Sequence, residues 1–159
     1  MGEPQRHNTS RDIVIYLQQR GVGYEEIEHP PAASALEYHE LVGTQLNQQA
    51  KALFVRYRKP GEKGFAVVTI QAQKKADLEK IRELLGAKSV GLATKEQLEV
   101  ETNCRFGELP PFGKLFGVRL LMDRDLLAEE KVYFNAGRLD YSLAVNPLEI
   151  QRIEDPILF

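Results

Sequence analysis

Two hydrophobic periods alternate along this chain, and each change of period marks an element. Ile13, Tyr16 and Leu17 share one face of a helix that Thr9 or Ser10 can cap and Gly21 can end. Tyr24 to Glu28 reads as a short strand, broken at His29-Pro30-Pro31 because proline has no amide proton for a ladder. Ser34-Ala-Leu-Glu37 has the spacing of a capping box and opens a helix toward Leu41 and Val42. Residues 50–58 and 65–70 read as paired strands: Leu53, Val55 and Tyr57 alternate with Phe54, Arg56 and Arg58, and Lys59 to Gly64 is the turn. A helix from Lys74 to Leu85 turns Leu78, Ile81, Leu84 and Leu85 inward and stops at Gly86. Lys88 to Leu92 is a further strand, and Thr94-Lys-Glu-Gln97 is a second capping box opening a short helix. Gly107 to Gly113 is a proline-rich loop. Val118–Met122, Lys131–Asn135 and Leu139–Val145 are three more strands, the last with a half-buried alternation, and Pro147 to Ile150 closes the pattern with a helical turn. Residues 1–8 read as a frayed tail. With no repeat and no linker, residues 1–159 are expected to form one α+β domain with a mixed sheet.

Charge changes this picture locally. The chain has a formal net charge of −2 from 21 basic and 23 acidic side chains. Residues 51–90 carry a net +6, between flanks of −4 each. A coat for duplex DNA is therefore excluded, whereas a local anionic partner is allowed. Cys104 is the single cysteine, so no internal disulfide is expected and a reducing compartment fits. No run approaches 18 apolar residues and the start of the chain lacks an apolar signal core, so a cytoplasmic protein with no membrane partner is expected. A monomer suits this size, although the sequence leaves oligomeric state open. Asn8-Thr9-Ser10 matches a glycosylation acceptor by chance.

The chemical inventory is sparse. His7, His29 and His39 lack the neighbours of a zinc motif, so no metal is expected. Cys104 with His29 or His39 would make a nucleophile pair on inventory alone, but a lone cysteine is more often an inert core residue. Phosphate loops of the GxxxxGK[ST] or GxGxxG type are absent, and no cofactor is expected. Two features remain. Lys51 heads an otherwise apolar strand, where its ammonium can hold a phosphate or carbonyl; the plainer reading is a snorkelling edge lysine. Gly107-Glu-Leu-Pro110-Pro111-Phe112-Gly113 fixes a loop whose backbone can approach a ligand and offer preset N–H and C=O groups; the plainer reading is a structural turn.

Ser34-x-x-Glu37-Tyr38, Lys51-Ala-Leu, the helix ending at Gly86, Gly107-x-x-x-Pro111-Phe-Gly113 and Phe134-Asn-Ala-Gly137 occur in that order. Together they resemble the YbaK/prolyl-tRNA synthetase-associated domain family over roughly Tyr24 to Ile150. The resemblance implies a single-domain α+β fold with a mixed, mainly antiparallel, barrel-like β-sheet flanked by helices. It implies trans-editing: hydrolysis of the ester of a mischarged tRNA, with tRNA-Pro the family expectation. By resemblance Lys51, Gly107 and Pro111 carry the activity, the lysine contacting the tRNA 3′ end and the loop holding the terminal adenosine and aminoacyl group. Pro110, Phe112, Gly113, His29, Ser34, Asn135, Gly137 and Ser142 are implied substrate-binding positions. Ala52 departs from the Thr or Ser often found after the family lysine. The implied partners are the 3′ acceptor end of aminoacyl-tRNA and, at second hand, prolyl-tRNA synthetase. Two alternatives stand beside this: a non-catalytic tRNA- or synthetase-binding module of the same fold, and a hydrolase centred on Cys104.

Overall fold

The computed structural model describes residues 8–159. The expected tail lies outside these residues except for Asn8, whose side chain accepts from the Arg11 amide and caps the first helix in place of Thr9 or Ser10. Thr9 and Ser10 are instead buried inside that helix, α1 (Thr9–Gln19), with Ile13, Tyr16 and Leu17. The chain continues through β1 (Glu25–Glu28), α2 (Ala35–Val42), β2 (Ala50–Lys59), β3 (Glu62–Gln71), α3 (Leu78–Leu85), β4 (Ser89–Leu92) and α4 (Lys95–Thr102). After the proline loop come β5 (Arg119–Met122), β6 (Val132–Arg138), β7 (Tyr141–Val145), α5 (Pro147–Glu154) and β8 (Ile157–Leu158). Both capping helices form as expected: Ser34 accepts from the Glu37 amide, and Thr94 and Gln97 bond reciprocally.

The strands make two sheets, ordered β1-β7-β6 and β4-β2-β3-β5-β8. Pairing is antiparallel except where β5 lies parallel to both β3 and β8. A single parallel bridge from Gln49 to Tyr133 joins the sheets. The main core, with Phe54, Val67, Phe112, Met122, Phe134 and Leu143, fills the space shared with α1 and α5. A second cluster packs α3, through Ile81 and Leu85, on the other face of the larger sheet.

Four further expectations change. The β2–β3 ladder runs from Ala50↔Gln71 to Lys59↔Glu62, so only Pro60 and Gly61 turn; Lys63 and Gly64 are paired strand residues. The helix expected from Lys74 starts at Leu78, because Asp77 caps it and Lys74 is drawn to Asp123 and Asp125 at 2.8 and 2.6 Å. β7 is buried on both faces rather than half-buried, since Tyr141, Leu143 and Val145 join the main core while on the other face Ser142 lies under His29 and Asn135. The closing turn extends into the eight-residue α5.

Candidate active site

The loop after β1, the start of α2, the head of β2, the residue Gly107 and strand β6 surround one cleft of about 90 Å³. Its wall is made largely of alanines, with Lys51, Tyr38, Tyr133 and Asn135 among the larger side chains. Lys51, Gly107, Ser34 and Asn135, spread over 102 positions of sequence, are thus brought together.

Strand geometry explains why the head of β2 faces the cleft. β4 pairs with β2 only from Val55 to Arg58 and the bridge to β6 lies at Gln49, so among the described residues no strand pairs with that edge of β2 between Lys51 and Leu53. The Phe54 and Arg58 carbonyls accept from Ala93 and Lys88 on that side, at 2.9 and 2.7 Å. By the two-residue alternation of an antiparallel ladder, the Ala52 N–H and C=O point the same way, out of the unpaired edge and into the cleft that Ala52 lines. Ala52 therefore offers the cleft a backbone donor and acceptor.

Lys51 is half-buried, and its Nζ donates to the carbonyls of Lys74 at 3.0 Å and Ala72 at 3.5 Å. Burial lowers its proton affinity below the ordinary lysine value. An ammonium has three N–H donors, so one is left for a ligand. The turn that receives it is itself held: Asp123, nearly inaccessible, accepts from the Gln71 amide at 3.3 Å and the Lys74 ammonium at 2.8 Å. Sequence reading missed this support, because Asp123 is 72 residues from Lys51 and belongs to no motif.

The proline loop is fastened at three points. The Gly107 carbonyl accepts from Asn135 at 3.1 Å, the Glu108 carbonyl from the Gly137 amide at 2.9 Å, and the Gly113 amide donates to Glu154 at 2.7 Å. Gly107 has φ +86°, and a Cβ there would meet Leu139 at 3.0 Å and the Ala33 carbonyl at 3.4 Å, so glycine serves both conformation and contact. At Gly113 a Cβ would lie 2.5 Å from the Val118 carbonyl, which explains that glycine as close backbone approach.

The remaining expected residues have other positions. Pro110 and Pro111 are buried in the loop and do not line the cleft. Phe112 is fully buried against Tyr16 and Phe134, with ring centroids 5.6 and 5.5 Å away, so it packs the core rather than the pocket. Burial of such a ring contributes about 1.5–3 kcal/mol to the fold. Gly113 and Gly137 hold the ends of the loop rather than a ligand. His29 and Ser142 stand behind the wall, joined to Asn135. Tyr38, Gln49 and Tyr133 were missed as lining residues; only Tyr38 carried a signal, its place after the Ser34–Glu37 box. Burial raises the Tyr38 phenol to about 12, with the nearby Ser142 hydroxyl acting in the opposite direction.

Cys104 is fully buried in the main core, while His29 bonds Pro30 and Ser142 and His39 bonds the Thr44 carbonyl at 2.5 Å. The geometry gives a Cys–His hydrolase no support. Among the described residues, no helix is long and apolar enough to cross a membrane.

The model of the aminoacyl-tRNA editing domain matches residues 29–153. The chain belongs to the aminoacyl-tRNA editing domain family. A curated relative, the multifunctional Ser/Thr-tRNA deacylase ProXp-y of Escherichia coli K12, is 28% identical over 151 residues, covering 94% of this chain and 90% of that protein. The fold is that of a crystal structure described as a proposed trans-editing enzyme for prolyl tRNA synthetase, with TM-score 0.83, 24% identity, and coverage of 98% of this chain and 97% of that one. The match spans the elements from the end of β1 to α5 and so includes the cleft.

Proposed function

We propose that the chain is a trans-acting aminoacyl-tRNA deacylase that hydrolyses the ester of a mischarged tRNA, tRNA-Pro by family expectation. The observation that carries this is the cleft itself, where the open β2 edge, the spare Lys51 donor and the fastened Gly107 loop converge within an editing domain. In this reading the terminal adenosine lies against the Gly107 loop and Lys51 holds a phosphate or carbonyl oxygen of the 3′ end. The Ala52 N–H stabilises the negative charge that builds on the ester's carbonyl oxygen as water attacks. The carbon–oxygen bond to the ribose then breaks, releasing the amino acid and restoring the ribose hydroxyl. A cavity of about 90 Å³, walled by alanines, favours a small side chain. The relative's name places Ser and Thr among its substrates, so Ser-tRNA belongs with Ala- and Cys-tRNA in the first test. Release of amino acid from a panel of mischarged tRNAs tests the reading.

The charge pattern gives the stem a second point of hold. Lys74 is held by Asp123 and Asp125 from outside the +6 segment and Arg82 by Glu79 within it, so these two cations are already engaged. Arg56, Arg58 and Lys63 instead line a depression at the far end of the β2–β3 hairpin, and none of them is paired with a carboxylate among the described residues. Arg56 and Arg58 share the strand face of Ala50 and Ala52, roughly 17–23 Å beyond Lys51 at a normal strand rise. That separation suits a grip on stem phosphates with the 3′ end in the cleft. Arg56→Ala with Arg58→Ala is expected to weaken tRNA binding about tenfold at low salt and to reduce the slope of log affinity against log salt by about 2, read by fluorescence anisotropy.

A further inference from the structure

We propose that His29, Ser142 and Asn135 form a proton-gated clasp across the cleft, closed when the His29 ring carries protons on both nitrogens. The activity part of this proposal rests on the deacylase reading; the clasp itself does not.

The inference follows from counting protons. Asn135 Nδ2 donates to the Ala32 carbonyl at 2.8 Å and to the Gly107 carbonyl at 3.1 Å. Both partners can only accept, so the orientation of the Asn135 amide is fixed and its Oδ1 faces the other way. Ser142 Oγ lies 3.0 Å from that Oδ1, which commits the single hydroxyl proton to Asn135. Toward His29 Nε2, 2.7 Å away, the same Oγ can then only accept, so Nε2 must carry a proton. His29 Nδ1 is 2.8 Å from the Pro30 carbonyl, another pure acceptor, so Nδ1 must carry one as well. Only the imidazolium satisfies every bond. A neutral ring has one N–H. If that proton stays on Nδ1, the Ser142 hydroxyl turns to Nε2 and Asn135 Oδ1 loses its donor; if it stays on Nε2, the Ser142–Asn135 bond persists but the Nδ1 lone pair faces the Pro30 carbonyl at 2.8 Å, which disfavours that tautomer.

This matters because, among the described residues, Asn135 alone bridges these two rims of the cleft by side-chain bonds: Ala32 belongs to the loop before α2, and Gly107 opens the proline loop. The charged and titratable groups facing His29 are few. Glu28 precedes it on β1. Asp140, from the turn between β6 and β7, accepts the His29 backbone N–H at 3.1 Å and feels the ring's charge, while Arg138 holds the Asp140 carboxylate at 2.9 Å. Tyr38, from α2, meets the ring edge-on at 5.4 Å. His29 is thus a positioning residue that acts through Ser142 and Asn135.

The test is NMR of the full chain between about pH 5 and 8, the window in which imidazoles titrate, following the Asn135 side-chain amide and the His29 ring. In the wild type both sets of signals should move together. In Ser142→Ala the His29 ring should still titrate while the Asn135 response disappears. In His29→Gln, which keeps a donor toward Ser142 at every pH, the Asn135 signals should stay in one state; this variant serves if Ser142→Ala does not fold. Asn135 signals that are flat in the wild type, or that titrate unchanged in Ser142→Ala, overturn the clasp. For activity, the ratio of wild-type to His29→Gln kcat/KM cancels the effect of hydroxide on the ester. It should fall about three- to tenfold as pH rises through the window, the size of one lost hydrogen bond. A flat ratio in an active enzyme overturns the link to the cleft. Coupled Asn135 and His29 signals in a protein that hydrolyses no tRNA support the clasp and count against the deacylase reading alone.

Discussion

Lys51→Ala is expected to lower kcat/KM for release of amino acid from a mischarged tRNA by about 10²–10³-fold, the usual effect of removing one preorganised electrostatic contact. The ammonium is seated by the Ala72 and Lys74 carbonyls, and that seat is fixed from behind by Asp123. The fold should survive the change, because Lys51 is half-buried and contributes no side chain to either core cluster. Unchanged melting with collapsed turnover would separate a role in the cleft from a role in folding. Lys51→Arg should rescue poorly, since a planar guanidinium does not fit a seat built for a compact ammonium. Full activity in Lys51→Ala would remove the lysine from the account.

Glu154→Ala should produce the largest loss of stability. The Glu154 carboxylate is buried at 4% exposure, and it accepts from the Tyr16 hydroxyl, the Gly113 amide at 2.7 Å and the Lys114 amide at 3.2 Å. Burial, together with the bond and charge of Glu154, pushes the Tyr16 phenol above its ordinary range, so it stays a donor at any physiological pH. Truncation leaves these donors facing a void. A loss of about 3 kcal/mol is expected from the unsatisfied groups and the lost charge-assisted bonds. For a chain of this length that is a drop of roughly 6–12 °C in Tm, measured by thermal unfolding. Tyr16→Phe, which removes one donor and leaves the carboxylate its two amides, should cost about 1–2 kcal/mol. Equal melting of Glu154→Ala and the wild type would contradict the clamp.

Much of the framework was legible because it is local. Ser34–Glu37 and Thr94–Gln97 cap their helices through bonds three residues apart, and the β2–β3 pair alternates over ten positions. The start of α3 was not legible: Lys74 and Lys75 read equally well as first-turn helix residues, and only the distant Asp123 and Asp125 draw Lys74 away. Phe112 could not be assigned to pocket or core from a loop motif alone, since α1 and β6 supply the rings that enclose it. The motifs located Lys51 and Gly107 at the cleft, but the chain of bonds from His29 through Ser142 to Asn135 joins residues up to 113 positions apart with no common spacing. Segment charge misled in a similar way, because Lys74, counted in the basic segment, is paired across the fold with Asp123 and Asp125.

The central claim is that the cleft breaks the ester rather than merely holding the tRNA. The most direct measurement is single-turnover release of amino acid from tRNA-Pro charged with Ala, Cys or Ser, with purified protein in excess. Rapid release from at least one of these, well above spontaneous hydrolysis, is the predicted result. Salt-sensitive tRNA binding with no release above the spontaneous rate, across the whole panel, would contradict it and leave a binding module in its place.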